Sequence, residues 1–351
     1  GVANVLWACA RLRYDLDTDL WTALVAQMTQ QLSSCNSQDL GNSLWALATL
    51  GYRPRDDVLM MLSNDVRKKS KSFKPQELAN SLWAFAIIGY HPGEEVLAAL
   101  LKETRRKLPA SSSQHLGNSL WACGKLRYNP GEEILMAALE ETMLKLASFK
   151  PQEITNCLWA CAALRYHPGE EILIALLTET RRKLWSFTAQ NVSNSLWALA
   201  TLDCNPGKDL LTAFFRQTMH VLPGFGPQNL SNTLWACATW GYNPGQDVLM
   251  ALLEDAMQKL PAFQSQQISN TVWACATLSY NPGDHIMAAF LRDARQKLPD
   301  FTPHHLASTL WACATLHYNP GEGLLATMLE HAHQNLASFN GQDLSNTLWS
   351  C

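Results

Sequence analysis

Apolar and polar positions along this chain recur with one long period, and inside each period their spacing is helical. Trp marks the register at positions 7, 45, 83, 121, 159, 197, 235, 273, 311 and 349, each 38 residues from the next. With Trp as position 0, Leu at −5 and −1, Cys, Leu or Phe at +2 and Ala at +3 share one side of a helical wheel, with Trp at its edge. That side predicts a buried stripe. Gln at −7, Asn at −3 and the variable positions −6 and +4 fall on the opposite, polar side. The Trp either packs between repeats or offers a stacking face to a base.

Each period predicts two helices. In the repeat around Trp83 the first spans Gln76 to Tyr90, and Pro75, Pro151, Pro227 and Pro303 occupy the first helical position in alternate repeats. Pro92 and its counterparts would end that helix, because the residue before a proline is pushed out of the α region. Gly93 and its counterparts complete the turn. The second helix opens with acidic residues such as Glu94 and Glu95 and closes with basic ones such as Arg105, Arg106 and Lys107, both favoured by the helix dipole. Two helices of this length cannot bury their apolar stripes alone, so neighbouring repeats must share a core. The expected fold is all-α, a right-handed α-solenoid (superhelix) of tandem 38-residue helix-turn-helix repeats. Residues 1–351 are expected to be a single continuous solenoid of about nine repeats. Because the sequence begins at Gly1 and stops at Cys351, each inside a repeat, it reads as an excerpt of a longer chain.

Charge adds an asymmetry. The formal net charge of −3 excludes a globally basic nucleic-acid binder but not a local basic stripe. Residues 1–190 hold 21 Lys and Arg against 19 Asp and Glu, whereas residues 191–351 hold 6 against 11. A polyanion should therefore favour the N-terminal half. No apolar run approaches the roughly 20 residues that cross a bilayer, so no membrane partner is expected. Seven of the ten Cys sit at the +2 core position, where they act as small buried hydrophobes, and a reducing compartment fits that usage. Cys157, Cys161 and His167 fall on ordinary repeat positions rather than on a metal-site pattern, so neither metal nor cofactor is expected. His304 with His305, and His331 with His333, lack metalloprotease spacing, and no phosphate-binding glycine loop exists. The chain reads as a non-enzyme without a small-molecule substrate.

Two sets of positions carry candidate binding chemistry. At −6 the series runs Asp39, Glu77, His115, Glu153, Asn191, Asn229, Gln267, His305 and Asp343. All can hydrogen-bond and they differ repeat by repeat, as base-reading side chains of helical-repeat proteins do. A solvated face drifting neutrally would look similar. At −3 the residue is almost invariant, with Asn42, Asn80, Asn118, Asn156, Asn194, Asn232, Asn270 and Asn346, and Ser308 as the exception. A position that never changes cannot tell one ligand subunit from another. It either forms a hydrogen-bond ladder between helices or grips a repeating backbone, together with Arg11, Arg13, Arg53, Lys125, Arg127 and Arg165.

The 38-residue period, the Leu-Trp-Ala core and the Gly-Tyr-x-Pro endings (Gly51 to Pro54, Gly89 to Pro92) resemble the octotricopeptide repeat family over essentially the whole chain. Family repeats often carry a Pro-rich stretch ending in Glu-Trp before the second helix, whereas here that place reads Pro-Gly-Glu-Glu. The resemblance implies an α-solenoid that binds RNA, mRNA or rRNA, in the mitochondrial matrix or chloroplast stroma. It implies support of RNA maturation, stability or translation, or a place in a ribosome beside mitochondrial or chloroplast ribosomal proteins. Single-stranded RNA would lie along the concave first-helix face. The alternatives are a protein-protein scaffold and a ribonucleoprotein component without base preference.

Overall fold

In the computed structural model, which describes residues 1–14 and 16–350, the described chain is helical throughout and contains no strand. It divides into two compact units, Gly1–Lys183 and Leu184–Cys351. The first holds α1 (Val2–Leu12), α2 (Thr18–Gln30), α3 (Ser37–Thr49), α4 (Asp56–Lys69) and α5 (Pro75–Ile88), then α6 (Glu94–Arg106), α7 (Ser113–Lys125), α8 (Glu132–Lys145), α9 (Pro151–Ala163) and α10 (Glu170–Lys183). The second holds α11 (Ala189–Thr201), α12 (Lys208–Val221), α13 (Pro227–Trp240), α14 (Gln246–Gln258) and α15 (Ser265–Thr277), then α16 (Asp284–Gln296), α17 (Pro303–Thr315), α18 (Glu322–Gln334) and α19 (Gly341–Ser350). Odd helices are the first of each repeat and even helices the second. Each unit is an α-solenoid of helical repeats in which neighbours in sequence are neighbours in space.

Within each unit the odd helices pack side by side as one layer and most even helices as another, each even helix also resting on the odd helix before it. The odd layer is the more closely packed. Its spacing follows from small residues at −4 and +3. A Cβ on Gly117 would stand 3.2 Å from the Glu153 Cα, and one on Gly124 would stand 3.0 Å from the Trp159 ring and 3.2 Å from the Ala160 Cα. Backbones can approach this closely only where side chains are absent or nearly so. Between the layers Leu78, Leu82 and Phe85 are fully buried, and a Phe after most even helices (Phe73, Phe149, Phe225, Phe263) closes the end of the core.

The odd helices from α1 to α17 end two or three residues before the boundary expected from Pro92 and its counterparts. Its last turn is closed by a left-handed residue at +6. The next N–H, at +7, donates to the +2 carbonyl, as from Tyr90 to Phe85 (3.0 Å) and Tyr128 to Cys123 (3.0 Å). Gly51, Gly89 and Gly241 take this conformation at no steric cost, but Arg13, Arg127, Arg165, Asp203, Ser279 and His317 hold it with φ of 51° to 54°. After the turn, in the seven repeats from His91 to Asn319, the side chain at +8 accepts the N–H of the Gly at +10, as Asn129 does from Gly131 at 2.9 Å. The even helix then starts at the acidic pair.

The lysine closing many even helices does more than complement the dipole. Lys145 Nζ donates to the carbonyls of Leu108, Pro109 and Ser111 in the preceding repeat, at 2.7 to 3.2 Å, and pairs with Glu141 one turn back at 2.7 Å. Lys69, Lys107, Lys183, Lys259 and Lys297 reach back to preceding loops in the same way. Where Val221 replaces the lysine, Gln217 stands at the acidic position, and its amide donates to the Phe187 carbonyl at 2.9 Å instead. The clasp is thus preserved with different chemistry.

Candidate nucleic-acid interface

The first residue of each odd helix decides what its −6 side chain can do. With helices starting at Ser37, Pro75, Ser113 and their counterparts, −6 is the third helical position. There a side-chain acceptor can reach back to the N–H of the residue that caps the helix. All nine do so, at 2.7 to 3.3 Å: Asp39 accepts from Asn36, Glu77 from Lys74, His115 from Ser112, Glu153 from Lys150, Asn191 from Thr188, Asn229 from Gly226, Gln267 from Gln264, His305 from Thr302 and Asp343 from Asn340. Glu77, Glu153, Asn191 and Asp343 are buried, because this position also faces the −4 residue of the odd helix before it, as the Gly41–Glu77 approach shows. Each of the nine side chains expected to read bases thus also caps its own helix. Their variety is the set of side chains able to accept a hydrogen bond, and the recipient is their own helix terminus.

The two histidines in this set accept through Nδ1, which requires a neutral ring. Burial, and for His115 the nearby Lys145, holds its imidazole below the ordinary range; burial and His304 do the same for His305.

The Asn side chains at −3 form no ladder. Asn42, Asn80, Asn118, Asn156, Asn194, Asn232 and Asn270 are half-buried, and among the described residues none of their amides has a hydrogen-bond partner. They lie on a column with the exposed Gln at −7, the Trp at 0 and the residue at +4, spacings of four, three and four that align on one helix face. The Trp is half-buried rather than sealed in the core. One side of its ring covers the small +3 residue of the preceding odd helix, as Trp159 covers Gly124, and the side chain stays partly exposed. The Trp121 and Trp159 ring centroids are 6.2 Å apart, so adjacent repeats can align their rings along the layer. The surface of the odd layer is thus a row of indoles flanked by amides with unused donors and acceptors.

The cationic candidates divide. Arg53 is tied to Asp56 at 2.6 Å, and Arg11 lies over the Trp7 ring at 5.7 Å. Arg13, Lys125, Arg127 and Arg165 are exposed and make no ion pair among the described residues. They stand at the ends of odd helices, at +4 and at the left-handed +6. On the even helices, by contrast, Arg67 pairs with Glu95 (3.2 Å), Arg105 with Glu133 (2.6 Å) and Arg182 with Glu179 (2.7 Å). Four unpaired cations of the first unit thus lie along the same layer as the amides and indoles, while Lys102 on α6 and Arg181 on α10 are also exposed without an ion pair among the described residues. The corners are not purely cationic. The Tyr128 and Tyr166 hydroxyls are pushed above their ordinary range, first by burial and then by Glu94 and Glu132.

Of the +2 cysteines, Cys123, Cys161, Cys237, Cys275 and Cys313 are buried as expected, Cys9 is half-buried, and Cys351 lies outside the described residues. Burial pushes the thiols of Cys123, Cys161, Cys275 and Cys313 up to about 12, so they stay protonated. No helix among the described residues is long and apolar enough to cross a membrane.

Sequence reasoning missed the lysine clasp and the open amide-indole column. The clasp had a signal: Lys recurs at +24 with an acidic residue four before it, in six repeats. A search of curated proteins finds no match to the chain. A family described as a protein of unknown function matches residues 146–158 only. The family described as Tbc2 translation factor, N-terminal domain, matches residues 14–138 and 171–351. That match agrees with the octotricopeptide resemblance at the coarser level of a helical-repeat protein. Extending over far more than half of the helical repeats described above, it makes the chain a member of the Tbc2 translation factor N-terminal domain family.

Proposed function

We propose that this protein acts in translation by binding single-stranded RNA along the odd-helix layer of its units, as a binding protein and not as an enzyme. The observation that carries the reading is the row of half-buried Asn amides without protein partners beside half-open Trp rings, repeated every 38 residues. A half-buried amide that uses none of its hydrogen-bonding capacity adds little to stability, so its recurrence calls for a ligand. RNA supplies what the column lacks: stacked bases for the indoles, and base edges and sugar hydroxyls for the amides. The family's description as a translation factor supports a translational setting, with mRNA or rRNA as partner. The octotricopeptide resemblance supports an organelle, mitochondrion or chloroplast, as the compartment.

Phosphate contacts would come from Arg13, Lys125, Arg127 and Arg165 in the first unit. So few cations predict a shallow salt dependence, of the order of three to four counterions. The test is a triple substitution of Asn80, Asn118 and Asn156 by Ala. Its thermal unfolding should match the parent, while affinity for single-stranded RNA at low salt falls by roughly tenfold or more. Unchanged affinity in a folded triple variant would sink the reading.

A further inference from the structure

With the −6 residues committed to helix caps, each odd helix presents four outward side chains, at −7, −3, 0 and +4. Three of them barely change along the chain, so +4 is where one repeat's surface differs from the next. In the first unit it does differ: Thr49, Ile87, Lys125 and Ala163. In the second unit it does not. Thr201, Thr239 and Thr277 follow the same Gln, Asn and Trp in three successive repeats.

Helix propensity does not favour Thr there. The position is exposed in all three repeats, and a β-branched residue at an exposed helical site is less favourable than Ala or a straight-chain residue. The hydroxyls of Thr201 and Thr239 donate to the Trp197 and Trp235 carbonyls at 2.8 and 2.9 Å. Their protons are spent on the helix, which leaves the oxygens turned to solvent as acceptors. Thr277 stands at the same exposed position, so the three repeats carry the same four residues in the same order: Gln, Asn, Trp, Thr.

Identical surfaces bind identical ligand subunits. We infer that +4 is the nucleotide-selecting position, and that α11, α13 and α15 together select a run of at least three like nucleotides, while α3, α5, α7 and α9 select a mixed sequence. An acceptor oxygen at +4 favours a base that turns an N–H toward it, and three in register favour the same base three times. Because Lys125 and Ile87 present a cation and an apolar group in place of that acceptor, the first unit cannot apply one rule throughout. The inference rests on RNA being the ligand of the odd-helix layer.

The experiment is selection of randomised single-stranded RNA by the full chain, with Thr239→Lys beside the parent. Thr239 is exposed, and Lys is well tolerated in helices, so the variant should fold; its unfolding curve is the control. The expected result is an enriched motif with a run of three or more like nucleotides. The variant should lose the preference at the middle of that run alone, by about tenfold, with the flanking positions kept. Enrichment of RNA with no such run, or a Thr239→Lys motif identical to the parent's, overturns the assignment of +4. Failure to enrich any RNA overturns the proposed function itself, and the inference with it.

Discussion

Glu77 and Asn80 sit three residues apart on one helix, yet they do opposite things. Glu77 is buried and receives the Lys74 N–H at 2.7 Å; Asn80 is half open and receives nothing. Replacing Glu77 by Ala should cost about 1 kcal/mol, the worth of a helix cap, and leave RNA affinity unchanged. Chemical denaturation and a binding titration on the same variant check both halves. The left-handed arginines make a second pair of effects. Arg127→Gly relieves a conformation that costs a side-chain-bearing residue about 1 kcal/mol, so the denaturation midpoint should rise. The same change should weaken RNA binding and reduce the salt slope by about one counterion. A stabilised protein that binds worse would mark Arg127 as a residue held in strain for its ligand.

Helix ends and helix-to-helix clasps govern the next scale. Lys145 carries three carbonyls and Glu141 on one ammonium, so Lys145→Met leaves all four without their donor. A loss of about 1–3 kcal/mol is expected, measured by urea unfolding. The caps made by His115 and His305 add a pH dependence. Both rings must be neutral to accept the Ser112 and Thr302 N–H, and both titrate below the ordinary value of 6.5. A depressed histidine contributes stability that is complete above 6.5 and is lost as pH falls through the lower folded value. The unfolding midpoint should thus drop between pH 7 and 5, and His115→Asn with His305→Asn, which cap without titrating there, should flatten that part of the curve. The caps were partly legible in the sequence. Asn36 with Asp39 and Ser112 with His115 have capping-box spacing, and Pro75 marks the first helical residue two before Glu77. The same residues fit base contacts equally well, because the side chains that cap a helix and those that read a base are the same acceptors. The lysine clasp was less legible, since its partners are backbone carbonyls 34 to 37 residues away, which no side-chain identity announces.

At the scale of the molecule, the period of the Trp residues was enough to predict the two-layer repeat, because only stacking can bury such short amphipathic helices. The division into units at Lys183 and Leu184 was not visible in that period, which runs unbroken across it. The units differ in chemistry: unpaired arginines and varied +4 residues in the first, uniform threonines in the second. RNA bound to the first unit should therefore be held by charge and mixed contacts, and RNA bound to the second by repeated neutral contacts. The central claim is that RNA lies on the odd-helix layer, and ultraviolet crosslinking of the full chain to single-stranded RNA, with the linked peptides identified by mass spectrometry, tests it most directly. Crosslinks concentrated on the Trp-bearing segments of odd helices, such as those around Trp83, Trp121, Trp235 and Trp273, are the predicted result. Crosslinks confined to the even helices, with those segments unmodified, would contradict it.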